Sequence, residues 1–255
     1  MTAESSLRIE RDGPLLRVSL SRPERRNALD AALIAALTDA FSDVGDARAV
    51  IFAGDGDSFC GGADISWMSA AAELSYEENV ADSTRLRRML EAIDHCQAPV
   101  VARVQRHCLG GGLGLIACCD IVIAADDAVF AFPEVKLGII PAVISPFALA
   151  RIGAGPARRY FLTGERFGTE VALRIGLVHE SVPAAELDSA VGGVVDEILS
   201  SGPEAVRHSK KLVLDAPLDG LETARRIAER RTSEEGQEGL RAFLERRRPR
   251  WVRTR

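Results

Sequence analysis

The sequence predicts an α/β core followed by a C-terminal helical subdomain. Three observations predict it. Short apolar runs of four to six residues, each the length of a buried strand, recur through the first half. Glycine clusters lie between those runs, where α/β folds place their sites. The second half carries its apolar residues mostly at helical spacing, and no low-complexity linker divides the halves.

Leu15 to Leu20 reads as the first strand. Asp30 is a natural N-cap for a helix over Ala31 to Phe41. Ala49 to Ala53 (AVIFA) is a buried strand closed by Gly54. Val100 to Val104 follows Pro99, Ile121 to Ala125 follows Asp120, and Val129 to Phe132 makes a further strand. Helices are then expected over Ser145 to Arg151, Pro156 to Leu162, Thr169 to Ile175, Ala184 to Leu199, Pro203 to Leu214, Leu221 to Arg231 and Glu238 to Arg247. One short strand, Leu177 to Val182, interrupts them. The helical subdomain is expected to pack on the core or on a neighbouring chain.

With 255 residues, 47% hydrophobic, 27% charged and a formal net charge of −5, the chain is large enough for a substantial core and too apolar for disorder. No run of about 18 apolar residues offers a membrane span. The first residues, Met1 to Arg11, hold no apolar signal core. A mildly acidic chain with few aromatic residues is a poor nucleic-acid binder. Five cysteines (Cys60, Cys96, Cys108, Cys118 and Cys119) are an odd number in apolar surroundings, which fits free thiols in a reducing cytoplasm. No Cys or His spacing suits a structural metal, and His95, His107, His179 and His208 lack partners for a triad. Asp120 is expected to pin a helix end.

Two glycine loops carry the chemistry. Leu109-Gly110-Gly111-Gly112-Leu113-Gly114 follows a strand and opens an apolar helix-like run; Cys60-Gly61-Gly62-Ala63-Asp64-Ile65 has a similar character. Glycine lets the backbone approach a ligand closely, and N–H groups at a helix start have no internal acceptor. Two such loops, each giving one N–H, could hold a carbonyl oxygen that gains negative charge. Tight packing alone is the other reading of each loop. Neither matches a phosphate-binding loop or a dinucleotide fingerprint. Glu134, in Phe132-Pro133-Glu134-Val135-Lys136, is a lone acid among apolar residues just past a strand. It either exchanges protons with a raised pKa or turns to solvent beside Lys136. Six of the last ten residues are arginine, a solvated tail or a contact for an anionic ligand.

From Arg22 onward the chain resembles the crotonase (enoyl-CoA hydratase/isomerase) superfamily. The matching pieces, in order, are RPERRNALD (Arg22 to Asp30), SFCGGADI (Ser58 to Ile65), LGGGLGLIACCDIVIA (Leu109 to Ala124), FAFPEVKLGIIP (Phe130 to Pro141), LTGERF (Leu162 to Phe167), A-x-x-x-GLV (Ala172 to Val178) and AFLERRRPRW (Ala242 to Trp251). The resemblance implies a crotonase-like spiral of ββα units. Residues 1–200 would form the core with the acyl-CoA site, and 201–255 a helical trimerisation or lid region. It implies a homotrimer or a dimer of trimers and an acyl-CoA thioester as substrate. No metal or redox cofactor is implied, since coenzyme A is part of the substrate. By position, Ala63 and Gly111 would form the oxyanion hole and Glu134 would be the catalytic acid/base. Arg26, Ala28, Asp64, Ile65, Gly110, Gly114, Pro133, Leu137 and Gly138 would lie along the substrate and CoA path. The arginine-rich end matches a segment that reaches CoA phosphates.

The chain departs from ordinary family hydratases in two places. These carry a second glutamate where Gly114 stands, and glycine cannot transfer a proton. Family isomerases often work with the single glutamate of the PE motif, so this departure favours an isomerase. The stretch Gly138 to Gly153 resembles the PAVISPF segment of the methylglutaconyl-CoA and carboxygeranoyl-CoA hydratases, a branch serving leucine and acyclic-terpenoid breakdown. That favours a hydratase acting on a branched enoyl-CoA with a distal carboxylate, which Lys136 or Arg151 could bind. Hydratase is the leading reading and isomerase the second. A weakly catalytic acyl-CoA-binding scaffold is the third. Trp67 and Met68 would either wall the acyl pocket or pack in the core.

Overall fold

The computed structural model describes residues 6–252. Its strands are β1 (Leu7–Asp12), β2 (Leu15–Leu20), β3 (Ala49–Gly54), β4 (Val100–Val104), β5 (His107–Leu109), β6 (Ile121–Ala125), β7 (Val129–Ala131), β8 (Phe167–Gly168) and β9 (Glu180–Val182). Its helices are α1 (Ala31–Ser42), α2 (Ile65–Ala71), α3 (Tyr76–Asp94), α4 (Gly111–Ala117), α5 (Ser145–Ile152), α6 (Ala154–Thr163), α7 (Thr169–Arg174), α8 (Leu187–Ser200), α9 (Pro203–Leu214), α10 (Gly220–Thr232) and α11 (Glu234–Leu244).

Six strands form one sheet in the order β1-β2-β3-β4-β6-β9, with only β1 antiparallel to its neighbour. A second sheet runs β5-β7-β8, and a bridge between Cys60 and Cys108 adds the 60s loop to its edge. Successive turns of chain place one strand in each sheet: β4 then β5, β6 then β7. This is the ββα spiral. The parallel strands alternate between two buried faces, as strands covered on both sides must. Val50, Phe52, Val100, Ala102, Val122 and Ala124 enter the main core with α1 and α3. Ala49, Ile51, Val101, Ile123 and Ala125 pack against Leu187, Val191 and Val195 of α8.

Local chemistry sets the element ends. Asp30 caps α1, its carboxylate accepting from Leu33 N at 2.8 Å. Ser75 and Glu78 close a capping box at the start of α3. Asp120 does pin an element, but a strand start: it accepts from Val100 N at 2.7 Å and holds Lys210 Nζ at 2.8 Å, which ties α9 to the core. Several expected boundaries shift. The helix expected from Ala184 begins as a separate short turn and continues as α8 only from Leu187. The strand expected from Leu177 pairs only over β9, because Leu177 and Val178 turn into the core. The last helix starts at Glu234, capped by Ser233, and ends before Arg246, whose φ is +52°.

All five cysteines are free and buried. Burial raises the thiol pKa values, that of Cys60 to about 12, so these thiols stay protonated and inert. No helix among the described residues is long and apolar enough to cross a membrane.

Candidate active site

The two glycine loops meet. Gly62 has φ +99° and Gly110 φ +50°, conformations that favour glycine. A Cβ on Gly62 would lie 3.1 Å from the carbonyl oxygen of Leu109, so the loops touch backbone to backbone. Leu29 links them further. It bridges to Ala63, and a Cβ on Gly111 would lie 2.8 Å from its side chain. Neither the Ala63 N–H nor the Gly111 N–H donates to an acceptor among the described residues. Both residues line one cavity of about 240 Å³.

Glu134 lines the same cavity. It sits in a one-turn helix, 133–137, that follows β7, and its Oε1 lies 3.3 Å from where a Gly110 Cβ would stand. Its Oε2 is buried without a hydrogen-bond partner among the described residues. Burial pushes the Glu134 carboxyl above its ordinary value. It does not pair with Lys136, whose stem packs on Gly164. Trp67, Met68 and Leu86 wall the cavity, and the 139–144 segment closes the side opposite α3. An unpaired carboxylate beside two unused amide donors is suited to moving a proton while charge accumulates on an oxygen.

A wider groove of about 650 Å³ shares Ala63 with this cavity as a lining residue. Arg26, Ala28, Asp64 and Ile65 line it. The Asp64 carboxylate, however, is turned inward. It caps α2 by accepting from Ser66 N at 2.9 Å and pairs with Arg22 at 3.0 Å and Arg25 at 3.1 Å. Hydrogen bonds from Ser66, with Arg25 adding to them, hold it well below the usual carboxylate range. Arg22 also grips Asp30 at 2.8 Å. Asn27, fully buried, ties Arg22 N to the carbonyls of Asp55 and Ser58. Arg22, Arg25 and Asn27 are thus the groove's frame, a role read only once their partners are visible.

Five expected path residues line neither cavity. Gly114 is buried on α4 beneath Ile144 and Leu90, which leaves no room for a ligand. Gly110 lies against Glu134 and Pro133, since a Cβ there would be 3.3 Å from Glu134 Oε1 and 3.8 Å from Pro133 Cδ. Leu137 and Gly138 are exposed, as the last residue and the cap of the turn that carries Glu134. The expected cations are elsewhere too: Arg151 bonds the carbonyls of Ala117 and Cys119, at the far end of α4. His107 bonds Ser58 at 3.1 Å and stays outside the cavity. Of the C-terminal arginines, Arg247 and Arg250 fold back on Glu238 of α11. Arg247 pairs with Glu238 at 2.7 Å, and Trp251 donates to Ser200 O at 3.1 Å. Arg253 and Arg255 lie outside the described residues. Among those residues no group of three His, Cys, Asp or Glu is placed to hold a metal.

The family model for enoyl-CoA hydratase/isomerase matches residues 10–254. The chain belongs to this family. It is 34% identical to the crotonyl-CoA hydratase of Syntrophomonas wolfei over 98% of this chain and 99% of that one. It is 31% identical to the short-chain-enoyl-CoA hydratase of Clostridium acetobutylicum over 94% of each. Among solved structures, an enoyl-CoA hydratase from Shewanella pealeana superposes with a TM-score of 0.91 at 37% identity, covering 96% of both chains. The crotonase fold is therefore this chain's fold, and the cavity at Ala63, Gly111 and Glu134 is the candidate site of a family member.

Proposed function

We propose that the protein adds water across the 2,3 double bond of an enoyl-CoA thioester. One observation carries this reading: the unpartnered Glu134 carboxylate shares a cavity with the unused N–H groups of Ala63 and Gly111. The names of its relatives support it, crotonyl-CoA hydratase and short-chain-enoyl-CoA hydratase among them.

The thioester oxygen would accept from both amides, and the CoA portion would lie in the groove beyond Ala63. Glu134 takes a proton from water as the water oxygen bonds to C3. The π electrons move onto the thioester oxygen, giving an enolate held by the two amides; one such donor is worth about 3 kcal/mol. The enolate collapses, C2 takes the proton back from Glu134, and the carboxylate is regenerated.

The geometry supports an uncharged acyl group. Among the described residues no lysine or arginine lines the cavity, whereas Asp82 does. A distal carboxylate, as in methylglutaconyl-CoA, would meet no lysine or arginine on the cavity wall, and Asp82 is already paired with Arg85 at 2.7 Å. Gly114 supports a second reading, an isomerase that moves one proton between C2 and C4 on Glu134. Mass analysis of products from crotonyl-CoA and 3-enoyl-CoA separates the two. A product heavier by one water supports hydration; conversion at constant mass alone replaces it with isomerisation. The exposed apolar side chains of Val213, Phe243 and Leu244 support assembly into a trimer or a dimer of trimers.

A further inference from the structure

One face of α3 gives the cavity a polar wall. Apart from Glu134, the polar residues that line it are Asn79, Asp82 and Ser83, all from this helix; the others are apolar or aromatic. Asp82 is the deepest of the three, only 9% exposed. Its Oδ1 accepts from Arg85 Nη2 at 2.7 Å, and the Arg85 side chain is 57% exposed, so the pair points toward solvent. Its Oδ2 accepts no hydrogen bond among the described residues. Asn79 adds to this pattern. Its Nδ2 is tied at 3.1 Å to the carbonyls of Ala71, Leu74 and Ser75, which leaves Oδ1 as a second unused acceptor. Helix stability does not require an acid here. An ion pair three residues apart supports a helix only slightly, and does so equally well on an open face. Burying the acid against an apolar cavity adds a cost. A hydrocarbon tail that filled the cavity would strip water from Oδ2 and return nothing, and losing a hydrogen bond to a charged group costs more than losing a neutral one. Arg85 already balances the charge, so the wall lacks a donor rather than a cation.

We propose that Asp82 sets substrate choice: its free carboxylate oxygen accepts a hydrogen bond from a hydroxyl on the acyl chain, so the protein selects enoyl-CoAs that carry a hydroxyl beyond the reacting double bond. This rests on the reading above, in which the cavity receives the acyl group. A site built to hydrogen-bond a hydroxyl rejects the analogue without it, because its own buried polar group is then left bare.

The test is calorimetric binding of saturated thioesters to the full chain, to Asp82→Asn and to Asp82→Leu. Hexanoyl-CoA is compared with 6-hydroxyhexanoyl-CoA, and octanoyl-CoA with 8-hydroxyoctanoyl-CoA. Asparagine keeps the size of the side chain; leucine is a good helix former, and Arg85 is free to turn to water. At one length or both, the hydroxylated thioester should bind the unaltered protein at least about tenfold tighter than its parent. That ratio should shrink in Asp82→Asn and vanish in Asp82→Leu, which should also bind the parents more tightly. A merely structural Asp82 would leave the ratio where it was. No preference for the hydroxyl at either length, or a preference that survives Asp82→Leu, overturns the proposal. Because none of the four thioesters has a double bond to hydrate, the ratio is independent of turnover. Absence of hydration with the ratio intact would sink the hydratase reading and leave the role of Asp82 standing.

Discussion

Ile144 occupies the space that a side chain at Gly114 would need. A Cβ built on Gly114 would lie 2.5 Å from Ile144 Cγ2 and 3.1 Å from its Cβ. The two departures from ordinary family hydratases, the missing acid on α4 and the altered 141–147 segment, are thus one packing event. Ile144 is 3% exposed and caps the buried face of α4. A glutamate at 114 would have to displace it.

That contact sets the first expectation. Gly114→Ala should destabilise the chain by about 1–3 kcal/mol through overpacking. Ile144→Ala alone should cost about 2–5 kcal/mol through the void it leaves. The double variant should cost less than the sum, because the new methyl takes part of the vacated space. Urea denaturation of all four proteins closes the cycle; strict additivity would show that the two residues do not share that space.

The same contact shows what was legible in the sequence and what was not. The strands over 49–53, 100–104 and 121–125 could be read because each is buried on both faces and so apolar throughout, Arg103 excepted. The nineteen-residue α3 could not. Its first two-thirds, Tyr76 to Arg88, are mostly polar, and its apolar core-facing stripe of Leu86, Met89, Leu90 and Ile93 begins late. At 82 that stripe carries a buried aspartate paired with Arg85. The capping box at Ser75 and Glu78 was the available signal. Of the site, Ala63, Gly111 and Glu134 were approached through motif order, and the structure lines all three on one cavity. The inward turn of Asp64 was hidden, because its partners Arg22 and Arg25 lie some forty positions away.

Glu134→Gln should lower kcat by about 10²- to 10⁴-fold, the usual worth of a positioned base. The same substitution should stabilise the fold at neutral pH. Burial raises the Glu134 carboxyl, so its contribution is full while protonated, below the ordinary glutamate value of about 4.3, and is lost as pH rises through the raised folded value. Glutamine pays no such cost. Thermal melts should therefore show the variant ahead of wild type at pH 7 and level with it near pH 4. A variant less stable at pH 7 would mean that the carboxylate is held by a favourable partner.

Asp64 should behave in the opposite sense. Its carboxyl lies below the usual range because Ser66 and Arg25 stabilise the charged form. The stability it supplies is complete above the unfolded value, about 3.9, and drains away as pH falls toward the lowered folded value. Asp64→Asn should cost about 1.5–3 kcal/mol at neutral pH, because the charged hydrogen bonds from Ser66, Arg22 and Arg25 are lost while Arg22 keeps Asp30 as its remaining anion. The gap between variant and wild type should narrow in acid. Denaturation at a series of pH values reads it, and a gap that is constant with pH would show that the Arg22 and Arg25 pairs contribute nothing through charge.

Assembly is the last expectation. Phe243 and Leu244 end α11 at 81% and 79% exposed, and Val213 on α9 is 77% exposed. These helices pack on each other, so the chain alone presents neighbouring large apolar side chains to water, which an isolated soluble protein seldom does. Light scattering should give a mass of several 27.4 kDa chains, in multiples of three. Phe243→Asp should shift the protein toward the single-chain mass, since a carboxylate buried between chains without a partner opposes association by several kcal/mol. A wild-type mass of one chain would mean that these side chains stay in water, and the trimer would have to be abandoned.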